Sequence, residues 1–182
     1  MLVADFSEIE GVKMLEATST SDSRGNFVKF HPGKVLLERL NYVAVSINPK
    51  IGTIRGLHFQ VEPFAEEKIV SCIQGSTFEV IVDIRPNSKS FGKVATFQLT
   101  PESGKQVYLP KGIAHGFQTL LPETIVHYCL TSEYSSESSI IIDPFGDLGI
   151  DWPIKSYSIS EKDLKGASLQ YAARKYVESL KV

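Results

Sequence analysis

Residues 68–84 of the chain, KIVSCIQGSTFEVIVDI, contain two short apolar runs on either side of Gly75 and Ser76. The second run alternates, because Phe78, Val80 and Val82 fall at every second position. Side chains two residues apart lie on the same face of a β-strand, so this spacing predicts a strand. Glycine and serine between two such runs are typical of a turn. The stretch therefore predicts two short strands and no helix.

The same pattern recurs along the chain, as short runs rich in Val, Ile, Phe and Tyr that Gly, Pro, Asn or Ser separate. The predicted strands are Val43–Ile47, Lys68–Ile73, Thr77–Ile84, Lys93–Leu99, Lys105–Leu109 and Thr124–Leu130. Helix is scarce: we predict a turn or two over Lys34–Leu40, a short helix from Ser160-Glu161-Lys162-Asp163, and an amphipathic helix over Leu169–Leu180. Without helices between the strands, the chain favours an all-β, double-sheet jelly roll over βαβ units.

Composition limits the class of protein. The chain has 182 residues, of which 42% are hydrophobic and 22% charged, so we expect one folded domain over residues 1–182. The net charge of −2 and the lack of a basic run argue against nucleic-acid binding. No signal peptide or membrane span is evident, which predicts a cytoplasmic protein. Cys72 and Cys129 lie in apolar runs and are expected to be buried, reduced thiols, with a disulfide left open.

Two histidines lie in glycine-containing segments: His58 in Arg55-Gly56-Leu57-His58-Phe59-Gln60, and His115 in residues 112–117, GIAHGF. Imidazole has an unperturbed pKa of about 6.5 and is a ready base at neutral pH. Arginine is suited to holding phosphate, so a base near Arg55 predicts acid–base chemistry on a phosphorylated small molecule. The alternative is that each histidine is buried and satisfied by hydrogen bonds.

Other roles for the histidines are less favoured. His31 precedes a Pro-Gly turn and is expected at the surface, and His127 should face away from Tyr128 in its strand. Metal-binding jelly rolls carry a second histidine two residues after the first, where this chain has Gln60. Two isolated histidines are too few for a typical metal site, so we predict none.

The chain resembles the dTDP-4-dehydrorhamnose 3,5-epimerase family, cupin-type enzymes that act on nucleotide-linked 4-keto-6-deoxy sugars. The resemblance runs from about Asp22 to Leu169 and is carried by many ordered motifs. They are Asp22–Phe27, Gly52–Gln60, Glu67–Val70, Gly75, Val82–Ser88, Phe91-Gly92, Pro110–Phe117, Tyr128, Tyr134, Asp143-Pro144, Ile150–Pro153 and Ser160–Asp163.

The resemblance implies the catalytic residues. A 4-keto group acidifies the protons on C3 and C5, so a base can remove one and an acid can return it to the opposite face. The resemblance assigns the base to His58, its orienting partner to Asp163, and the acid to Tyr128. It assigns the cation that stabilises the enolate oxygen to Lys68. It also implies that neither a metal nor an organic cofactor is needed.

The resemblance further implies substrate contacts and a homodimer. Arg55 is assigned to the diphosphate, whereas Arg24 and Phe27 resemble residues that reach the nucleotide of the neighbouring subunit. The remaining substrate-binding residues are Gln60, His115 and Tyr134.

Each assignment has a simpler structural alternative. Asp163 with Ser160 is also a helix-start signature. Tyr128 and Tyr134 would fit a core or its rim, Lys68 would fit a solvated strand position, and Arg24 in a turn would fit an exposed one.

The chain departs from the family where members carry a Gln-x-Asn-x-Ser pattern, since it reads Val43-Ala44-Val45-Ser46-Ile47-Asn48. It also has Lys29 where many members have glutamate, and a shorter segment 135–142. We predict conversion of dTDP-4-dehydro-6-deoxy-D-glucose to dTDP-4-dehydro-L-rhamnose, a step of L-rhamnose biosynthesis. The alternatives are a C3-only epimerase, an isomerase that moves the keto group to C3, a sugar-nucleotide-binding cupin without activity, and a metal-dependent cupin oxygenase.

Overall fold

β-Strands are the main regular elements of the computed structural model, which describes residues 3–5, 8–30, 36 and 38–181. Within that part of the chain the strands are β1 (Val3–Asp5), β2 (Lys13–Glu16), β3 (Thr18–Asp22), β4 (Gly25–Lys29), β5 (Tyr42–Asn48), β6 (Ile54–Gln60), β7 (Lys68–Gln74), β8 (Thr77–Asp83), β9 (Val94–Leu99), β10 (Lys105–Leu109), β11 (Ile113–Thr119), β12 (Thr124–Leu130) and β13 (Ser139–Ile141). A 3₁₀ helix (Asp163–Lys165) and the α-helix α1 (Leu169–Ser179) follow.

Two antiparallel sheets face each other. The six-stranded sheet has the order β1-β2-β10-β7-β12-β5, and the five-stranded sheet has the order β13-β6-β11-β8-β9. β3 and β4 form a separate hairpin. Neighbours in sequence are often on opposite sheets, as β6 and β7 are, so the chain crosses between the layers repeatedly. This arrangement confirms the predicted all-β jelly roll.

The space between the sheets is filled at one end by apolar side chains. Val70, Cys72 and Val126 of the six-stranded sheet pack with Ile81 and Phe117 of the five-stranded sheet, and all are essentially inaccessible to solvent. Close packing of this kind excludes water from one end of the sandwich. The polar side chains of the same faces lie at the other end, where they line a cavity.

The outer face of the five-stranded sheet is covered by the C-terminal third of the chain. Trp152 and Ala172 of that part pack against Val80 and Val82 of β8. The Trp152 indole N–H donates to the carbonyl oxygen of Pro144 at 2.9 Å, which satisfies its one polar group. β8 is therefore buried on both faces.

The predicted elements match the structure closely. All six predicted strands are present, each within one residue at either end, and α1 covers the predicted C-terminal helix except its last residue. The predicted strands do not include β1–β4, β6, β11 or β13. In β6 and β11, glycines interrupt the apolar patterns. Of the predicted helix over 34–40, residues 34, 35 and 37 lie outside the described residues, and so does His31.

Two further observations concern the cysteines and the helices. Cys72 and Cys129 are free and buried, as predicted. No helix among the described residues is long and apolar enough to cross a membrane.

Candidate active site

A cavity of about 630 Å³ opens between the two sheets. β5, β6, β7, β11 and β12 contribute side chains to its wall, and the segment 158–163 closes one side. A volume of this size suits a small-molecule ligand. Eight of the ten predicted site residues line it: Arg55, His58, Gln60, Lys68, His115, Tyr128, Tyr134 and Asp163.

A β-bulge in β6 turns both Arg55 and His58 toward the cavity. His58 lies opposite His115 of β11, but Arg55 lies opposite Phe117, so three steps on β6 match two on β11. Strict alternation would have sent two residues three apart to opposite faces. At Gly56, inside the bulge, a Cβ would lie 2.6 Å from the carbonyl oxygen of His115 and φ is +108°. Only glycine allows this close approach of the two strands.

His58 and Asp163 form a hydrogen-bonded pair. The Nε2 atom of His58 lies 2.8 Å from Oδ1 of Asp163, and Oδ2 accepts from the backbone N–H of Gly56 at 3.2 Å. Burial raises the pKa of Asp163, but the hydrogen bond and charge of His58 outweigh it, so that this pKa lies below its usual value. An ionised carboxylate at this distance suits an Nε2–H donor, and that tautomer would leave the lone pair of Nδ1 for another partner.

The turn that carries Asp163 also fits its simpler interpretation. The backbone N–H of Asp163 donates to Oγ of Ser160 at 3.0 Å, at the start of the 3₁₀ helix. The helix-start signature and the pairing with His58 are therefore both present, and the first fixes the backbone that supports the second.

Tyr128 and Lys68 approach the cavity from the six-stranded sheet. Burial, and to a smaller extent the charge of Glu79, raise the pKa of Tyr128 above its usual value, so its phenol stays protonated at neutral pH. Lys68 is buried and forms an ion pair with Glu66 at 2.8 Å. The alternative of a solvated Lys68 is wrong, because β7 presents it to the cavity on the same face as Val70.

His115 belongs to a second, buried pair. Its Nε2 atom lies 2.6 Å from Oε2 of Glu79, whose other oxygen accepts a hydrogen bond from the hydroxyl of Thr77. Burial lowers the pKa of His115 below its usual value, although Glu79 acts in the opposite direction. The His115 ring also makes an edge contact with Tyr128, with 6.4 Å between ring centroids. His115 thus lies at the floor of the cavity beside the phenol.

Gln60 and Tyr134, two further predicted substrate contacts, differ in how tightly other protein groups hold their side chains. The amide of Gln60 is held by protein groups, since its Oε1 accepts from the N–H of Ser135 at 2.6 Å and its NH₂ donates to the carbonyls of Phe64 and Glu133. Tyr134 is 60% exposed at the rim, where its hydroxyl accepts from Nζ of Lys162 at 3.1 Å.

Arg24 and Phe27 do not line the cavity. Both lie on the exposed β3–β4 hairpin, where Arg24 forms an ion pair with Asp22 at 2.6 Å and Phe27 is 63% exposed. In the single chain, Arg24 is therefore an exposed turn residue, in agreement with its simpler interpretation.

Four residues of the site were missed by the sequence analysis: Asn48, Glu66, Glu79 and Lys162. Two gave a signal. Glu79 is a charged residue inside an apolar strand, and Asn48 falls two positions after Ser46, a neighbour that lines the cavity. Glu66 and Lys162 lie within two residues of predicted site residues, but their contacts depend on long-range folding.

No group of three or more metal-ligating side chains is found among the described residues.

Comparison with known proteins shows which family the chain resembles. The profile of the dTDP-4-dehydrorhamnose 3,5-epimerase family matches residues 7–171. A protein of that name from Sinorhizobium fredii is 39% identical over 170 residues, covering 88% of this chain and 86% of its own length.

Two solved epimerase structures have the same fold as this chain. The 3,5-epimerase of Legionella pneumophila in complex with dTDP-4-keto-L-rhamnose superposes with a TM-score of 0.85 at 32% identity, over 93% of each chain. A 3'-monoepimerase from Streptomyces bikiniensis in complex with dTDP-quinovose gives a TM-score of 0.83 at 28% identity, over 91% of this chain and 87% of its own. The chain belongs to the dTDP-4-dehydrorhamnose 3,5-epimerase family, whose members are isomerases.

Proposed function

We propose that the protein converts dTDP-4-dehydro-6-deoxy-D-glucose to dTDP-4-dehydro-L-rhamnose, without a metal or organic cofactor. The observation that carries the proposal is the His58–Asp163 pair, which shares one cavity with a protonated phenol and a lysine. A base, an acid and a cation are the three groups that epimerisation beside a ketone requires. Such a reaction would serve L-rhamnose biosynthesis and, more broadly, carbohydrate biosynthesis.

The first step is proton removal. Nδ1 of His58 takes the proton from C3, and the electron pair of that C–H bond moves into an enolate whose negative charge rests on O4. Asp163 stabilises the imidazolium that forms, because its carboxylate already accepts the Nε2 hydrogen bond at 2.8 Å. Lys68 offers the positive charge that stabilises O4.

The second step returns a proton to the other face of the carbon. Tyr128 lies on the sheet opposite His58, which supports assigning its phenol to protonation of the carbanion from the face away from the base. The phenolate regains its proton from solvent, and the imidazolium of His58 loses one, so the net reaction is an isomerisation. Repeating the cycle at C5 completes the double epimerisation.

Binding of the nucleotide sugar engages the rest of the wall. Arg55 and the rim residue Lys162 supply positive charge for the diphosphate. We assign Tyr134 at the rim to packing against the nucleotide, and His115 to contact with the sugar. Gln60 acts mainly by holding the segment 133–135 that carries Tyr134.

We also propose a cytoplasmic homodimer of single-domain subunits. The outer face of edge strand β5 exposes Val43, Val45 and Ile47, each more than half accessible, and such a row of apolar side chains favours association. In the dimer, the exposed hairpin would carry Arg24 and Phe27 to the partner's nucleotide. Light scattering should give the mass of two chains, and Val45→Asp should halve it, whereas a monomeric wild type would overturn this part.

The experiment that tests the activity is proton NMR with dTDP-4-keto-6-deoxyglucose in deuterated water. Loss of both the C3 and C5 proton signals is the expected result. Loss at C3 alone would instead support the C3-only alternative. That alternative has a precedent in a dTDP-4-dehydrorhamnose 3-epimerase from Streptomyces niveus, which is 31% identical to this chain over 85% of this chain and 78% of its own length. Exchange at neither carbon would overturn the proposal.

A control pair separates an enzyme from a binding protein. His58→Asn should lower exchange by about 1,000-fold and keep dTDP binding, whereas His127→Asn should leave both intact. His127 is matched in residue type but lies outside the cavity, where its ring contacts Ser71 at 3.3 Å. Equal exchange in the two variants would exclude His58 as the base.

A further inference from the structure

The side chain of Asn48 holds the guanidinium of Arg55. β5 sends Val43, Val45 and Ile47 outward, so Asn48 points into the space between the sheets, where it is 1% exposed. Its Oδ1 accepts the Nε–H of Arg55 at 2.8 Å. Arg55 itself is exposed to the cavity, so this contact joins a buried amide to a cavity-lining cation.

The amide of Asn48 has little freedom to turn. Its Nδ2 donates to the carbonyl oxygens of Ser46 at 3.0 Å and Thr124 at 3.1 Å, and these two bonds fix which end of the amide faces Arg55. Oδ1 also receives the Ser46 hydroxyl at 3.2 Å. The acceptor for Arg55 is thus anchored to two strands, β5 and β12, before any ligand arrives.

Arg55 has no carboxylate counter-ion in the part of the chain that the structure describes. No carboxylate among the residues that the structure describes lies within ion-pair distance of its guanidinium. Contact through Nε leaves both terminal nitrogens for an anion, and these are the atoms that bind phosphate oxygens bidentately. A neutral amide can orient the guanidinium without competing with an anionic ligand for its charge. A carboxylate at the same place would compete with that ligand.

We propose that Asn48 is a positioning residue for diphosphate binding, which aims Arg55 through Nε and, being neutral, leaves its charge to the ligand. The inference rests on the proposed function, since it takes the diphosphate of a nucleotide sugar as the ligand of Arg55. It assigns a role to a position in the segment where the chain departs from its family's usual pattern.

The test is calorimetric binding of dTDP and of thymidine to wild type, Asn48→Asp and the matched variant Asn41→Asp. Asn41 is exposed just before β5, and no side-chain contact of it is part of the site. Asn48→Asp should weaken dTDP binding by about tenfold or more, because a charge-assisted bond to the new carboxylate competes with the diphosphate. Thymidine binding should not change, and Asn41→Asp should behave as wild type.

Steady-state kinetics gives a second readout that simple loss of structure would not mimic. Asn48→Asp should raise KM for the nucleotide sugar while kcat at saturation stays near that of wild type. If Asn48→Asp fails to fold, Asn48→Ala provides the same comparison with a smaller expected loss of dTDP affinity. Unchanged dTDP affinity in the folded variant, or equal losses for dTDP and thymidine, would overturn the role of Asn48.

The same data separate the two proposals. A wild type that binds dTDP, with variants that bind it equally well, would refute only the role of Asn48. A wild type that neither binds dTDP nor exchanges the sugar protons would refute the proposed function, and the present inference with it.

Discussion

Two histidine–carboxylate pairs face each other across neighbouring strands and differ mainly in access. His58 and His115 are opposite each other in the pairing of β6 with β11, and each has a carboxylate oxygen within 2.8 Å of Nε2. The side chain of His58 is 41% exposed, whereas that of His115 is 5% exposed and that of Glu79 not at all. The same chemical pair is therefore open to a ligand in one case and enclosed in the other.

The two pairs also differ in where their carboxylates come from. Asp163 reaches His58 from a turn outside the two sheets, and both side chains line the cavity. Glu79 reaches His115 from the adjacent strand of the same sheet. The second carboxylate oxygen of Glu79 accepts a hydrogen bond from the Thr77 hydroxyl. We infer that the first pair moves protons and the second holds the cavity floor in place.

The largest effect is expected when each histidine is replaced in turn. His58→Asn should lower the exchange rate at C3 by about 1,000-fold, because general-base catalysis contributes 10²–10⁴-fold. His115→Asn should cost far less activity and more stability, since it leaves Glu79 buried without its partner. Exchange rates by NMR and unfolding midpoints of both variants test this, and equal losses of activity would remove the distinction between the pairs.

Asp163→Asn should give the next largest effect, a loss of activity of at least about 100-fold, because the amide no longer stabilises the imidazolium. The variant should also change the response to acid. The pKa of Asp163 is lowered in the folded protein, so its carboxylate stabilises the fold above the usual carboxyl pKa and loses that effect as pH falls through the lowered value. The gap between the unfolding midpoints of wild type and variant should therefore close in strong acid, and a constant gap would contradict the assigned shift.

A smaller effect concerns His115 and mild acid. Because burial lowers its pKa, the folded protein binds fewer protons than the unfolded chain between that value and the usual 6.5, so acidification through this range lowers stability. The effect is at most about 1.4 kcal/mol per pH unit for one group. Unfolding midpoints between pH 5 and 8 should fall less steeply with acid in His115→Gln than in wild type. Parallel curves would show that Glu79 keeps His115 charged.

The smallest effect should come from the thiol nearest the enclosed pair. Burial, and to a smaller extent the charge of Glu79, raise the pKa of Cys72 to about 11. At pH 8 the thiolate is scarce and the side chain is inaccessible, so iodoacetamide should label Cys72 in the unfolded chain and leave it unmodified in the native one. Rapid native labelling would mean that this end of the sandwich opens, and the enclosed pair with it.

Prediction from sequence worked best where the signal was local. The strand Thr77–Asp83 follows from alternation within seven residues, and α1 follows from a period of 3.6 within eleven. It failed for β6 and β11, because glycines replace apolar residues where the two strands approach each other most closely. The glycines that hid these strands are the ones that bring their histidines together.

The sequence by itself determined the all-β class and the family, and it named the side chains that we propose for acid–base chemistry, because periodicity and motif spacing are written along the chain. Only the tertiary structure decided which groups meet. It placed Arg55 on the cavity side through a bulge, buried Lys68 against Glu66, and gave Arg55 the amide of Asn48. These contacts join residues from different strands or depend on how strands pair, and strand pairing is set by packing across the sheets rather than by neighbours in sequence.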